Sequence, residues 1–509
     1  MTGHRRSRWR GGLRAAALAA QMATTALLAG CMVGPDFLRP AAPDEADYTP
    51  EPLPATAAAD VHGGAAQRFV RDLDIPGQWW TLFHSRALNA IVEQALKANP
   101  SLDAAKAALR QAQENVYAGQ GALFPTVSGT LSTQREKFSG ASFGDPALSS
   151  TFSVQTAQLS VSYVFDVWGG TRRQIESLVA QTEFERFQLE AAYLSLTANV
   201  VTAAVTEASL RGQIAATKDI IDVETQELGV LQQQFELGGT SKVAVLAQAA
   251  TLAQTRATLP PLEKQLALER NLLADLTGRF PNQDLGATFD LAALHLPPDL
   301  PVSLPSKLVE QRPDLRFTEA QLHAASAQIG VATANQLPQL SLSAAFGSQA
   351  PANIVMPGSS FWSVGASLAQ TLFDAGTLLH KKRAAVAAYD QSAAQYRSTV
   401  LSAFQDVANA LRALQSDADA LQAQLAAERT AADSLAISRN QYRAGAITYL
   451  SLLTAEQTYQ QTRISLVQAQ ANRFSDTAAL FQALGGGWWN RSDVPPGNGT
   501  TKNLIDLVP

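Results

Sequence analysis

A β-strand meets a helix in the sequence Leu159-Ser160-Val161-Ser162-Tyr163-Val164-Phe165-Asp166-Val167-Trp168-Gly169-Gly170. Apolar and small polar residues alternate up to Phe165, which is the period of two of a β-strand with one apolar face. After the two glycines a helical period resumes, and no proline occurs from Thr171 to about Leu237. At about 1.5 Å per residue, such a helix is on the order of 100 Å long. The same order recurs at Phe373-Asp374-Ala375-Gly376, followed by a second proline-free run from Thr377 to Ala444.

The chain has two halves with the same order of features, offset by about 210 residues. Asn99-Pro100-Ser101-Leu102 opens the first half and Arg312-Pro313-Asp314-Leu315 the second, each before an Ala- and Gln-rich helical run. Those runs end at a proline, which lacks the backbone donor and disfavours helix in the residue before it. Turns between helix and strand are therefore expected at Pro125, Pro338, Gly169, Gly170 and Gly376.

Alternating segments after each proline predict two β-hairpins. Val127, Gly129 and Leu131 alternate with polar residues in the first of them. Each strand has about ten residues, the length that a tilted transmembrane strand needs. The connecting segments, Arg135 to Ser150 and Ala350 to Ser360, are rich in loop-forming residues. Aromatic residues near the strand ends would suit membrane interfaces: Phe138, Phe152, Trp168, Phe361 and Phe373. A half-buried sheet of a soluble protein would alternate in the same way.

Each long helical run reverses at a small turn and returns through a second helix. The turns are expected at Gly238-Gly239 and at Gly445, because glycine reverses a helix with the least strain. Apolar residues at coiled-coil spacing predict a packing seam in the second run: Leu401, Phe404, Ala408 and Leu411. These helical hairpins would also suit a soluble or peripheral coiled-coil scaffold without a pore.

The N-terminus has the pattern of an export signal. Arginines precede the apolar stretch Ala15 to Leu28, which is too short to span a bilayer as a helix. It ends in Leu28-Ala29-Gly30-Cys31, which resembles a bacterial lipobox, and Cys31 is the only cysteine of 509 residues. The resemblance implies a mature chain that begins at an acylated Cys31, and Met32 in place of aspartate implies sorting to the outer membrane. Cleavage elsewhere would instead leave a free thiol.

The composition argues against several classes of function. The net charge of −5 gives no basic footprint for nucleic acid. The histidines are widely separated and are expected to be ordinary surface residues: His62, His84, His295, His323 and His380. No nucleophile elbow, phosphate loop, metal-spaced His/Cys set or isolated carboxylate pair occurs, so we expect no catalytic residue, metal or cofactor. After Leu28 no run is apolar enough for a transmembrane helix, so strands must make any membrane crossing.

Four strands per chain are too few to close a barrel of their own. Even eight strands leave an interior only just filled by side chains. Open sheet edges in hydrocarbon would leave backbone groups unsatisfied. Several chains must therefore share one barrel, and three copies would supply twelve strands.

Motifs along nearly the whole mature chain resemble the TolC/NodT outer-membrane efflux proteins. They are Cys31 to Phe37, Gln78-Trp79-Trp80 with Phe83, Leu-Phe-Pro at 123–125, Phe-Asp with a glycine turn at 165–170 and 373–376, Gln441 to Gly445, and Tyr449 to Leu453. The resemblance implies an α+β membrane protein, a homotrimer whose twelve-strand β-barrel continues as a long α-helical coiled-coil tunnel in the periplasm. It implies passive exit of drugs or small toxic metabolites across the outer membrane. The implied partners are outer-membrane lipid, a periplasmic membrane-fusion adaptor and an inner-membrane transporter, most closely of the resistance-nodulation-division class, although major-facilitator pumps use relatives too.

The resemblance also implies a gate and docking tips. Relatives close the periplasmic mouth with a constriction often built from aspartates, and the matching residues here are Ser451 and Thr454. Leu450 looks like the hydrophobic gate residue of lipidated relatives, so a leucine ring that gates by dewetting is expected. The alternative is that Leu450 only packs in the coiled coil. Adaptor contacts are expected at Gly238, Gly239, Thr240, Ser241, Gly445, Ala446 and Thr448.

The predicted divisions of the chain follow from these features. Residues 1–30 are the signal peptide, 31–85 an N-terminal equatorial segment, and 86–280 the first repeat, with a β-hairpin at 123–166 and a helical hairpin turning at 238–239. Residues 281–305 link the halves at the equator, 306–486 are the second repeat, with a β-hairpin at 338–373 and a turn at 445, and 487–509 are a C-terminal equatorial tail.

Overall fold

The computed structural model describes residues 32–51, 53–139, 141, 144–145, 147, 149–351 and 359–493. The predicted signal peptide, Cys31 and the chain beyond Asp493 lie outside these residues. In chain order the elements are β1 (Arg68–Arg71), α1 (Arg86–Ala98), α2 (Pro100–Gly121), β2 (Thr126–Phe138), β3 (Ser150–Phe165), α3 (Gly170–Glu236), α4 (Lys242–Leu276), β4 (Asp299–Val302), α5 (Pro305–Gln311), α6 (Pro313–Ala334), β5 (Gln339–Pro351), β6 (Ser359–Ala369), α7 (Thr377–Arg443) and α8 (Tyr449–Ala483). Short 3-10 helices lie at Trp79–Phe83, Leu291–Ala293 and Trp488–Asn490.

Strands β2, β3, β5 and β6 form one antiparallel sheet in that order, so β2 and β6 are its free edges among the described residues. β2 and β5 begin directly after Pro125 and Pro338. The strands contain 13, 16, 13 and 11 residues, more than the ten expected. The predicted loop from Arg135 begins too early, because Arg135 to Phe138 remain paired with β3 as far as Ser150. Backbone groups make this pairing, so polar side chains do not end it.

The register gives the sheet one apolar and one polar face. Residues opposite each other on neighbouring strands point to the same side of the sheet. Two apolar rows are Val127, Val161, Ala344, Val364 and Gly129, Leu159, Phe346, Trp362, and the row between them is Ser128, Ser160, Ala345, Ser363. The described part of the chain leaves the apolar face open: Val127 is 66% and Trp362 76% exposed.

The long helices α3 and α7 contain 67 residues each and begin in the same way. The residue before each helix is a glycine with positive φ, Gly169 at 73° and Gly376 at 87°. The carboxylates of Asp166 and Asp374 accept the first backbone N–H groups at distances of 2.7 to 3.0 Å. A negative charge at a helix N-terminus is favourable, so these aspartates fix where each helix begins. Gly170 is needed for space as well, because a Cβ there would lie 2.9 Å from the Cβ of a residue in α6.

The returning helices α4 and α8 contain 35 residues each, and α4 continues through Pro260 and Pro261. The buried residues of α7 recur at heptad-like spacing: Ala403, Val407, Ala410, Leu411, Leu414, Ala418, Leu421 and Leu425. The predicted seam is correct at Leu411 and wrong at Leu401, which is 72% exposed. A run so rich in Ala and Leu offers apolar residues on several faces, so spacing alone does not fix the face that packs.

The largest apolar core lies where the N-terminal segment and the segment between the halves meet the long helices. Trp79, Trp80, Phe83, Phe474 and Phe481 pack there, each at most 1% exposed. β1 and β4 pair in parallel, joining the two segments. One window of α3 is apolar enough to span a membrane, so the expectation of no such helix was too strict. Half of that window is buried inside the chain, as a core helix would be.

Candidate functional site

Both helical hairpins reverse through turns of the same geometry, here called the tips, at residues 237–241 and 444–448. Gly238 has a φ of 75° and Gly445 a φ of 74°, the left-handed region that favours glycine. The N–H group after each glycine donates to the carbonyl oxygen five residues earlier, at 2.7 and 2.8 Å, which is the Schellman pattern. A Cβ at either glycine would meet no atom within 4 Å. The glycines therefore serve the backbone angle and not the packing.

Ser241 and Thr448 cap the returning helices. Ser241 Oγ accepts the N–H of Ala244 at 3.2 Å, and Thr448 Oγ1 accepts the N–H of Ser451 at 3.3 Å. Thr448 Oγ1 also lies 2.9 Å from Ser451 Oγ. Ser451, which the family resemblance assigns to the gate, thus also takes part in the N-terminal cap of α8.

Leu450 and Thr454 lie one turn apart on an exposed face of α8. Leu450 is 67% exposed, and Thr454 Oγ1 donates to the Leu450 carbonyl oxygen at 3.0 Å. The neighbouring residues that point inward form the tip core: Leu231, Leu435, Tyr449, Leu452 and Leu453. Leu450 is therefore not a core residue of its own chain.

Charged residues line a cavity of about 230 Å³ between α3, α7 and α8. Arg439 Nη2 lies 3.1 Å from Glu227 and 3.5 Å from Glu456. Glu456 is 3% exposed, and its burial, with a hydrogen bond to Glu227, raises its pKa to about 8. Burial also raises the pKa of Glu224, against the hydrogen bonds that its carboxylate accepts. Sequence analysis missed this cluster because its members come from both halves of the chain.

Three histidines that are distant in sequence converge on the surface. The ring centroid of His295 is 5.8 Å from that of His62 and 6.4 Å from that of His84. His62 Nε2 lies 2.7 Å from the Leu294 carbonyl oxygen. These three histidines meet in space although they are far apart in sequence, and all three are exposed, as expected of surface residues. Even so, within the described part of the chain no three His, Cys, Asp or Glu side chains are placed to hold a metal ion.

The first described residues lie against the strand-to-helix turn of the first half. Val33 N donates to the Trp168 carbonyl oxygen at 3.1 Å, and a Cβ at Gly169 would lie 2.6 Å from Met32 Cγ. Arg173, with 1% side-chain exposure, donates to the Val33 carbonyl oxygen at 3.2 Å. Met32 is thereby fixed at the end of the sheet where α3 begins.

Comparison with known proteins covers both halves of the chain. Residues 91–279 and 304–486 match the family described as outer membrane efflux protein. The chain is 31% identical over 452 residues to the pyoverdine export outer membrane protein OpmQ of Pseudomonas aeruginosa, a match covering 86% of this chain and 94% of that one. The solved structure of the outer-membrane channel OprN has a TM-score of 0.79 at 28% identity, covering 90% of this chain and 100% of OprN. The outer membrane protein VceC of Vibrio cholerae has a TM-score of 0.74 at 26% identity, covering 81% and 100%. These matches confirm the predicted family and its role in efflux: the chain belongs to the outer membrane efflux proteins.

Proposed function

We propose that three copies of this outer-membrane efflux protein form one twelve-strand β-barrel, with four strands from each chain. The sheet is the observation that supports this proposal, because its edges β2 and β6 are free and its two faces differ in polarity. A wide membrane barrel is apolar toward lipid and polar toward its lumen. Edges cannot stay unpaired in hydrocarbon, so β2 of one copy would pair with β6 of the next.

The long helices would continue the barrel as a periplasmic tunnel. With 67 residues each, α3 and α7 are on the order of 100 Å long. A coiled-coil scaffold without a pore would account for such helices. It would have no use for an uncovered sheet with one apolar face, so we favour the channel.

The channel would conduct drugs or small toxic metabolites passively and would catalyse no reaction. Energy would come from an inner-membrane transporter of the resistance-nodulation-division or major-facilitator class, through a periplasmic adaptor. The adaptor would dock at the tips, whose turns are largely exposed: Gly238, Gly239, Thr240, Ser241, Gly445, Ala446 and Thr448. The relative OpmQ is named for pyoverdine export, so pyoverdine is a suitable first compound for transport assays.

Cys31 would anchor the mature chain through acyl chains. The next residue, Met32, lies against Gly169, where the sheet gives way to α3. In the proposed barrel this is the periplasmic edge of the membrane-spanning band. Acyl chains on Cys31 could therefore enter the adjoining leaflet without displacing the N-terminal segment.

Leu450 would form the gate. Its side chain is exposed within the chain, and Ser451 and Thr454 stand where the family resemblance implies acidic residues. Three copies of Leu450 converging near the axis would make a constriction too apolar to hold a continuous column of water.

Disulfide crosslinking between the free edges tests the barrel. In a Cys31→Ser background the chain has no cysteine. Ser132→Cys on β2 would be combined in turn with Ser359→Cys, Ser363→Cys or Ser367→Cys on β6, all on the polar face. For at least one pair, oxidation in membranes should link chains into dimers and trimers and into nothing larger.

An interior strand provides the matched control. Ser132→Cys with Ser341→Cys on β5 should not link chains, because β5 is paired on both sides within its own chain. Monomers from every edge pair would contradict the shared barrel.

A further inference from the structure

Helix α8, which bears the proposed gate, is joined to each of its neighbours by a pair of carboxyl groups. Near the tip, Glu456 of α8 and Glu227 of α3 line the same cavity, and Arg439 Nη2 lies 3.5 Å and 3.1 Å from their carboxylates. Farther along α8, the carboxyl group of Asp417 of α7 acts on that of Asp476 and raises its pKa, and Arg473 acts on both. Residues 456 and 476 are about 30 Å apart along the helix. The two contacts therefore hold α8 at separate heights and to different partners.

Both pairs contain buried oxygens that have no other partner. Glu227 Oε2, Glu456 Oε2 and Asp476 Oδ2 are buried and accept no hydrogen bond from a donor group of the described residues. Two ionised carboxylates cannot bond to each other, because neither carries a hydrogen. One proton shared between the facing oxygens satisfies them and removes the repulsion between like charges.

One arginine contacts the glutamate pair. Arg439 of α7 reaches Glu227 at 3.1 Å and Glu456 at 3.5 Å. The same cavity holds Glu224 of α3, whose Oε2 is also buried without a partner. Four carboxyl groups and two arginines line this cavity, so full ionisation would leave an excess of negative charge there.

The other titratable groups around the pair do not offset that charge. Arg463 of α8 is paired with Asp219 of α3 at 2.7 Å. Arg256 of α4 acts on the neighbouring Glu224 and donates to a threonine hydroxyl at 3.3 Å. Tyr442 and Tyr449 are phenols of α7 and α8, and burial raises the pKa of Tyr449, so it stays neutral.

The aspartate pair also faces a single arginine. Arg473 of α8 is fully buried, and its Nη2 donates to Gln67 Oε1 at 2.8 Å. Its Nε and Nη1 atoms have no hydrogen-bond partner, and the arginine acts on Asp417 and Asp476 through space. One arginine and one proton together neutralise the two carboxyl groups.

We propose that two shared protons clamp α8 to α3 and to α7, which makes α8 a proton-responsive element of the chain. Loss of either proton leaves two adjacent carboxylates in a poorly solvated site, and their repulsion drives α8 away from its neighbour. Within the described residues no three side chains are placed to hold a metal ion, so the proton is the ligand that this geometry fits. Movement of α8 would also move the gate only if Leu450 has its proposed role. The clamp itself does not depend on that role.

The direction of the pH response follows from the raised pKa values. Burial and the hydrogen bond within each pair raise the pKa of Glu456 to about 8 and that of Asp476 to about 7. Carboxyl groups of the unfolded chain titrate near pH 4. Between these limits the folded chain holds the additional protons, so the clamps are complete at low pH and are lost as the pH rises through 7 and 8.

Infrared difference spectroscopy on the purified full-length protein tests the protons directly. The carbonyl stretch of a protonated carboxyl group should be present at about pH 6 and lost by about pH 10. Acids with ordinary pKa values are already ionised at about pH 6, so they do not contribute to this band. Glu456→Gln and Asp476→Asn should each remove one component of this band. Asp433→Asn changes an exposed acid of α7 and should leave both components. Absence of a carboxyl band in the wild type at about pH 6 would overturn the proposal.

Spin labels test the movement. In a Cys31→Ser background, labels would be attached at Gln226→Cys on α3 and Gln457→Cys on α8, both exposed, and the protein diluted with unlabelled chains. The distance between the labels should lengthen as the pH rises in this protein and stay short when Glu456→Gln is added, because an amide bonds without ionising. Neither measurement requires conduction, so both remain valid if the channel proposal fails. A distance that does not change across the titration would overturn the clamp.

Discussion

Replacing Gly445 by valine tests whether the shape of the tip is what adaptor docking requires. Gly445 has a φ of 74° and open space where a Cβ would lie, so the penalty comes from the backbone angle alone. Holding a residue other than glycine in this conformation costs about 1–2 kcal/mol. That cost lowers the equilibrium constant between the native turn and its alternatives about 5–30-fold in each chain. The Schellman bond from Ala446 N to Gln441 O, 2.8 Å long, would be lost with it.

The tip core of Leu231, Leu435 and Leu452 does not depend on this turn, so trimers should still assemble. Efflux would be measured as drug susceptibility of cells whose own outer-membrane channel is deleted, alongside trimer content in mild detergent. Gly445→Val should abolish efflux at normal trimer content. Gly445→Asn is the control, because asparagine tolerates the left-handed region, and it should retain most efflux. Normal efflux by Gly445→Val would refute the argument from tip geometry.

Further expectations concern the gate, the anchor and the tip core. Leu450→Ser should raise the conductance of isolated trimers in planar bilayers several-fold by wetting the constriction. An unchanged conductance would mean that Leu450 only packs against its neighbours. Thr454→Asp should mainly increase cation preference, seen as a shift in reversal potential, because three carboxylates focus the field in a narrow mouth. The intact mass of membrane-extracted protein should include acyl groups that Cys31→Ser removes, and an unmodified N-terminus at another residue would exclude the anchor. Tyr449→Phe should lower the free energy of unfolding by about 1–2 kcal/mol, since it removes the 2.6 Å hydrogen bond from Tyr449 Oη to the buried Gln248. A denaturation midpoint equal to that of the wild type would contradict this role of the phenol.

The elements that depend on neighbours in sequence were predictable. Pro125 ends a helix because it lacks a donor, and the glycine of Gly376 permits the positive φ at which α7 begins. The alternation after Pro338 placed the apolar face of β5 correctly, because side chains of a strand point to opposite faces in turn. Such features are local, so one sequence suffices to find them.

Packing between distant segments was not predictable from the pattern. Leu401 has coiled-coil spacing and is exposed, because the apolar residues around it also satisfy a seam on another face. Glu227 and Glu456 meet only when the two helical hairpins pack together. The convergence of His62 with His295 likewise depends on how the segment between the halves folds back. The spacing of these residues along the sequence does not predict that they come close in space.

A sheet with two free edges makes biogenesis a collective event. β2 and β6 contain 13 and 11 residues, and roughly half of their backbone groups point away from the strands they are paired with. Each group left unsatisfied in hydrocarbon costs several kcal/mol, so a lone inserted chain is strongly disfavoured. Insertion and assembly of the proposed barrel should then occur in one step, with a steep dependence on chain concentration. A subunit with one edge strand that cannot pair would hold intact subunits in complexes that do not insert into the membrane. Such a mutation would therefore be dominant in the cell.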